Sequence, residues 1–350
     1  MFFKMKKFQR NSVQKILIIC LNGLGDVITT TPLIMSVRKE YPRAKIFMLV
    51  KNSFMESVFG ASASSIIDKF FHFDPGKQSL LSIFKIVNEL RSEKIDLSFT
   101  ATDTDFLKGP ILTYMMGINY RVGETPNKNS FYNKVIGYDC PVLANYDQHR
   151  VESNLDLCRS ISIKSIVRNT YFAIEETNDK TMRNIISMEF ESKNHSYCLI
   201  HPGCNIMESF RRWPLENYLS VARYVSQKYE FPVIFIGGKD EEDLSSEIDK
   251  YEDRYIINAI NKLNIGVTAS LIRSAKFIIG NDSGLMHIAG VVGTPTVSLI
   301  GYEKPIRCAP WGTHNEIVEA PISAKKDRVR EIMVDSVLNA VDKIICHFKG

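Results

Sequence analysis

Short, continuously apolar runs alternate along the chain with segments whose apolar residues recur every three or four positions. This alternation predicts parallel strands flanked by helices. Ile16 to Leu21 is the first such run, rich in β-branched residues as a central strand of a parallel sheet is. Leu33, Ile34, Val37 and Tyr41 follow at helical spacing, with Pro32 suited to a first helical turn. Strands are expected next at Ile46 to Val50 and Leu97 to Thr100, with a helix through Leu80, Leu81, Phe84, Val87 and Leu90 between them. Gly109 to Tyr146 is rich in Asn, Tyr, Gly and Pro and reads as loops with a helix or strand interspersed, of the kind that shape a substrate pocket. A second α/β series opens near Tyr197, with strands at Cys198 to His201, Val233 to Ile236, Phe277 to Ile279 and Thr296 to Ile300. The polar Glu175 to Asn194 region before it is expected to carry an interdomain linker in its early part. After Lys325, Val329, Ile332, Met333, Val337, Val341, Ile344 and Ile345 share one face of a final amphipathic helix, free to lie across either domain.

At 350 residues the chain exceeds what one core usually supports, so two domains are expected. Its 45% hydrophobic and 24% charged content is that of an ordinary soluble globular protein. A net charge of +5 gives no argument for nucleic acid as a partner. The N-terminal Lys4, Lys6, Lys7, Arg10 and Lys15, interleaved with Phe2, Phe3 and Phe8, suit either a solvated tail or contact with an anionic membrane surface. The apolar run after them is too short for a signal-peptide core or a membrane span. The 7 cysteines are odd in number and scattered, and Cys20 and Cys198 fall in predicted strands, which reads as buried thiols in a reducing compartment. No Cys or His spacing resembles a zinc site.

Chemistry is concentrated where strands end. The first strand runs into Asn22-Gly23-Leu24-Gly25-Asp26, so Asp26 sits at the strand-to-helix crevice where open α/β sheets bind ligands. It is a catalytic candidate, with a capping or dipole-compensating role as the bland alternative. Gly23 and Gly25 lack the third glycine of the dinucleotide fingerprint, which argues against a nicotinamide oxidoreductase. His201-Pro202-Gly203 leads to Ser209-Phe210-Arg211-Arg212-Trp213-Pro214, whose adjacent guanidiniums suit diphosphate oxygens; the alternative is a surface ion pair with Trp213 in the core. Gly237-Gly238-Lys239-Asp240-Glu241-Glu242 follows the next strand, where a carboxylate suits ribose hydroxyls or merely a helix start. Gly280-Asn281-Asp282-Ser283-Gly284-Leu285-Met286-His287-Ile288-Ala289 turns at once into a helix whose first N–H groups can hold a phosphate. His287 is as consistent with a core histidine as with a ligand contact. Asp103-Thr104-Asp105 has the spacing of a metal clamp but reads as a loop with helix-capping carboxylates.

Gly-Leu-Gly-Asp-Val-Ile-Thr-Thr-Thr-Pro, His-Pro-Gly followed by Arg-Arg-Trp-Pro, and Asn-Asp-Ser-Gly-Leu-Met-His-Ile-Ala, in that order from about Lys15 to Gly312, together resemble the lipopolysaccharide heptosyltransferases of glycosyltransferase family nine. The resemblance implies a GT-B architecture, two Rossmann-like α/β domains facing a central cleft. It implies an acceptor-binding domain over residues 1–180, a nucleotide-sugar domain over 181–325 and a C-terminal helix over 326–350. It puts the general base on Asp26 within the acceptor-side loop Asn22, Gly23 and Gly25. Donor contacts then fall on Arg211, with Arg212 beside it, on Glu241 within one residue, and on Asp282, Ser283, Gly284, Leu285 and His287. The reaction implied is an inverting transfer of heptose from ADP-heptose to a lipopolysaccharide core or lipid-linked glycan acceptor. No metal is required, though Mg²⁺ is compatible, and the enzyme is expected in the cytoplasm, with possible peripheral contact at the inner face of the membrane. Two alternatives stay open: another nucleotide sugar on the same fold, or a non-catalytic nucleotide- or glycan-binding protein.

Overall fold

The computed structural model describes residues 8–74, 76, 79–105, 108–127, 135–189, 196–204, 206–251, 253–322 and 327–347. The chain divides into two compact units, Met1–Ala173 and Ile174–Gly350. Each is built on a sheet of six parallel strands. In the first, β1 (Lys15–Cys20), β2 (Lys45–Val50), β3 (Lys69–His72), β4 (Leu97–Thr100), β5 (Tyr120–Thr125) and β6 (Cys140–Leu143) lie in the order β3-β2-β1-β4-β5-β6. In the second, β7 (Cys198–His201), β8 (Val233–Phe235), β9 (Ile256–Asn258), β10 (Ile278–Asn281), β11 (Thr296–Ile300) and β12 (Asn315–Glu319) repeat it as β12-β11-β10-β7-β8-β9. This is the doubly wound Rossmann order, which reverses direction between β1 and β4 and again between β7 and β10. Those two switch points are where such sheets open a crevice at their carboxyl ends. They predict where to look for chemistry.

Complete burial explains the central strands: Ile16 to Cys20 are fully inaccessible, so both faces are apolar and no alternation survives. The helix after β1 spans Leu24–Glu40, so Pro32 lies inside it rather than in its first turn as expected. A proline there costs the bond to the Ile28 carbonyl, four residues back. Thr31 Oγ1 donates to that oxygen at 2.6 Å and replaces what is lost. The consequence is functional, because Asp26 becomes the third residue of this helix.

The helix Leu80–Ser92 buries Ile86, Val87 and Leu90, while Leu81 and Phe84 of the expected stripe face solvent at 81% and 57% exposure. The Gly109 to Tyr146 region is more regular than its composition suggests, holding most of the helix Lys108–Met115 and the parallel strands β5 and β6. Residues 128–134 of it lie outside the described part. Of the basic N-terminal cluster, residues 1–7 also lie outside. Arg10 pairs with Glu40 and bonds the Ser162 carbonyl, and Lys15 pairs with Glu93 at 3.3 Å, so both act within the first unit.

The expected boundary at 180/181 would cut the helix Glu176–Glu189. That helix packs on Ile265–Ser274, with Arg273 paired to Asp179, and belongs to the second unit. The C-terminal segment belongs there too. Val329 and Ile332 precede the helix Val334–His347, Met333 is exposed, and Val337, Val341, Ile344 and Ile345 enter the second core beside Val225 and Val297. Trp213 Nε1 donates to the Ile332 carbonyl at 2.9 Å and ties that segment to the loop after β7. Among the described residues, no helix is long and apolar enough to cross a membrane.

Candidate functional site

In the first unit, three loops meet at the β1/β4 switch point. The loop after β1 is closed by Asp26, whose Oδ2 accepts the Gly23 N–H at 3.0 Å, a helix-capping contact of the kind the bland reading anticipated. The other oxygen is turned elsewhere: Oδ1 lies 4.0 Å from Nε of Arg150, the first residue of the helix Arg150–Ser160. Arg150 in turn donates to Asp103 Oδ2 at 2.6 Å, and Asn22 Nδ2 donates to the Asp103 carbonyl at 3.4 Å. Asp26 keeps 27% of its side chain exposed, so it is held and still reachable. Cys20, at the end of β1, has its thiol pushed up to about 12 by burial and by the nearby Asp26 carboxylate. Of the Asp-x-Asp pair, Asp105 does cap a helix, accepting the Lys108 N–H at 2.9 Å. Asp103 pairs with Arg150 across 47 residues, a contact no local motif shows. Gly25 lies in the first turn of the Leu24–Glu40 helix.

In the second unit the corresponding switch point lies between β7 and β10. Asn281, the last residue of β10 and 1% exposed, accepts the Trp213 N–H at 3.1 Å and donates to the carbonyls of Pro202 and Gly203 at 3.1 and 3.3 Å. It locks three loops together. In the sequence Asn281 stands only as part of a motif, because one sequence does not show how many loops a buried amide joins. Arg211 is fixed beside it, donating to Asp282 Oδ2 at 2.5 Å and Glu208 Oε2 at 2.6 Å, with its guanidinium 5.7 Å from the Tyr302 ring centroid. Burial would lower its pKa, but Asp282 and Glu208 outweigh that and raise it, so it stays a cation.

Ser283 is the N-cap of the helix Gly284–Val292. Its Oγ makes no capping bond and is buried with no hydrogen-bond partner among the described residues. The first amide groups of that helix, from Gly284 and Leu285 on, have no intrahelical acceptor and carry its positive dipole end. His287 is buried, with Nε2 3.8 Å from Asp282 Oδ1. Arg211, Asp282, Ser283 and His287 therefore converge.

Arg212 does not join them. It is turned inward, with Nη1 on Asp243 at 2.9 Å and Nη2 on the Asp240 carbonyl, and so braces the loop after β8. Glu241 is buried in that loop, accepting the Gly238 N–H at 2.7 Å. Its carboxyl group packs directly on the Gly203 backbone: a Cβ at residue 203 would meet Glu241 Cγ and Oε1 at 2.1 Å. Gly203→Ala is therefore expected to destabilise the second unit by about 1–3 kcal/mol, as overpacking does. Both tryptophans, Trp213 and Trp311, lie in this unit, so a urea titration followed by their fluorescence reads it alone; an unchanged midpoint would show that Glu241 can move aside without loss.

The family profile described as glycosyltransferase family 9 (heptosyltransferase) matches residues 83–337. The chain belongs to this family. It is a transferase. Lipopolysaccharide heptosyltransferase 3 of Escherichia coli is 26% identical, over 92% of this chain and 96% of its own. Lipooligosaccharide heptosyltransferase 2 of Campylobacter jejuni is 25% identical, over 86% of this chain and 85% of its own. Among solved structures, a family 9 glycosyltransferase from Veillonella parvula superposes with a TM-score of 0.74 at 20% identity, covering 95% of this chain and 97% of that one. The ADP-heptose lipopolysaccharide heptosyltransferase II of E. coli gives 0.71 at 17% identity, covering 96% and 100%. The family 9 chain thus has the two-domain GT-B fold. Its two switch points lie in separate Rossmann-like units, as the motifs implied.

Proposed function

We propose that this family 9 enzyme transfers heptose from ADP-heptose to a lipopolysaccharide core or related glycan by an inverting mechanism. The observation that carries the donor half is the convergence of the Arg211 guanidinium, the orphaned Ser283 Oγ and the uncapped start of the Gly284–Val292 helix. A fork of donors with fixed charge beside free amides and a helix dipole is the chemistry a diphosphate selects. In this reading Glu241, in the loop one strand further along the sheet, would meet the ribose side of the same nucleotide. On the acceptor side, Asp26 takes the proton from the attacking hydroxyl as its oxygen bonds to the anomeric carbon. The bond from that carbon to the diphosphate breaks on the opposite face. Arg211 and the helix start receive the charge that develops on the departing ADP.

The ADP-heptose assignment draws on relatives named for heptose transfer, and its test is direct. The purified protein is assayed with ADP-heptose and, separately, with UDP- and GDP-hexoses, against a panel of truncated lipopolysaccharides. Product from ADP-heptose alone supports the reading, product from another nucleotide sugar replaces the donor, and nucleotide binding without product from any pair favours a non-catalytic role. Free thiols at all 7 cysteines, Cys20, Cys158, Cys198, Cys204 and Cys308 of them buried, accord with work in the cytoplasm. In this reading the basic residues before Arg10 bring the enzyme to the anionic inner membrane face, where its acceptor is anchored.

In this reading protein groups neutralise the diphosphate, so transfer is expected to survive EDTA with at most a modest loss. Abolition by EDTA with recovery on added Mg²⁺ would make a cation the leaving-group stabiliser instead.

A further inference from the structure

Two carboxylates and one guanidinium meet at the β1/β4 switch point, and their connectivity is uneven. Arg150 is bound tightly to Asp103, at 2.6 Å, and reaches Asp26 only at 4.0 Å. Asp103 itself is fixed by a left-handed backbone, φ +61°, which is uncommon outside glycine but tolerated by Asp and Asn. Asn22, from the same loop as Asp26, holds its carbonyl. The guanidinium is 14% exposed and the two carboxylates 27% and 24%, so the cluster is partly shielded and its charges are felt more strongly than on an open surface.

Resting on the assignment of Asp26 as base, we infer that Arg150 is a positioning residue for it. Anchored by Asp103, Arg150 keeps the Asp26 Oδ1 oriented and ionised, and Asp103 limits how strongly it does so. An arginine bound to Asp26 alone would make that carboxylate a weak base, since a nearby cation lowers a carboxyl pKa by about 1–3 units. Two carboxylates with no arginine would repel, and one would hold its proton. The observed trio lies between these extremes. A general base gains from that balance, because its effectiveness falls when its pKa is driven far below the operating pH.

Several charges on elements packed against the Asp26 helix pair with one another, and the buried His149, at the cap of the Arg150 helix, accepts the Val151 N–H through Nδ1. Glu152 and Asp156 pair with Arg159, and Glu56 pairs with His72. The Cys20 thiol is neutral at ordinary pH. Arg150, which also holds Asp103, is a charge whose change Asp26 should sense.

The test uses the whole protein labelled with ¹³C at aspartate carboxyls, with the Asp26 resonance assigned by its loss in Asp26→Asn. Relative to wild type, the Asp26 titration midpoint is expected to move up by about one pH unit in Arg150→Gln and down in Asp103→Asn, with Arg150→Lys between wild type and Arg150→Gln. The acid limb of kcat/KM for transfer should move with it. A purely structural role for Arg150 would lower activity at every pH without moving the midpoint. An unmoved midpoint in either Arg150→Gln or Asp103→Asn, in protein that retains its wild-type circular dichroism, overturns the inference. Should Arg150→Gln fail to fold, the downward shift in Asp103→Asn still decides it. Failure of the underlying assignment looks different: Asp26→Asn would keep transfer activity even if the midpoints shifted as stated.

Discussion

Asp26→Asn is expected to lower transfer by about 10²- to 10⁴-fold while leaving ADP binding near the wild-type level, the range general-base assistance usually supplies. The substitution isolates chemistry from folding because the asparagine carbonyl can still accept the Gly23 N–H that Asp26 Oδ2 now accepts at 3.0 Å. What disappears is the proton acceptor. Initial rates with ADP-heptose and an accepted lipopolysaccharide fragment, set beside calorimetric titration with ADP, separate the two quantities. Retention of more than about a tenth of wild-type turnover would leave Asp26 as a helix cap only, and the base would have to be sought elsewhere at the same switch point.

Much of this arrangement was legible in the sequence, for a physical reason. Strands buried on both faces must be apolar throughout, so β1, β2, β7 and β11 announced themselves, and the loops they feed carried the motifs. The strands that escaped are those in which polarity is compensated or exposed. β5 contains Arg121, buried but bonded to Asp139 at 2.9 Å, and the buried Glu124, so its composition reads as loop while its environment is core. β9 and β12 are edge strands with polar residues, and edges need no apolar pattern. The same limit applies to the site. Asp26, Arg211 and Asp282 stand in short local motifs, and local motifs can be read. Asp103 and Arg150 lie 47 residues apart and meet only because the chain crosses from β4 to the helix after β6. Adjacent arginines looked equivalent in sequence, yet Arg211 turns to Asp282 and Arg212 to Asp243, a difference set by which loop each faces.

That divergence sets up the second large effect. Arg211→Ala is expected to weaken ADP binding by about 10- to 100-fold, as the loss of charge-assisted bonds worth about 1.5–3 kcal/mol requires. The loss should exceed that of a single contact, because Asp282 and Glu208, now held at 2.5 and 2.6 Å by the guanidinium, would face the diphosphate uncompensated. Arg211→Lys keeps the charge without the fork and should fall between. Adding Asp282→Asn to Arg211→Ala should recover part of the affinity, since it removes one of the exposed negative charges. The gap between wild type and Arg211→Ala should narrow as salt rises, because screening weakens what the charge contributes. Arg212→Ala makes the contrast: braced against Asp243 and the Asp240 carbonyl, its loss should lower the stability of the second unit before it touches ADP affinity. Calorimetry with ADP across these variants decides between them, and unchanged affinity in Arg211→Ala would move the phosphate site away from the start of the Gly284–Val292 helix.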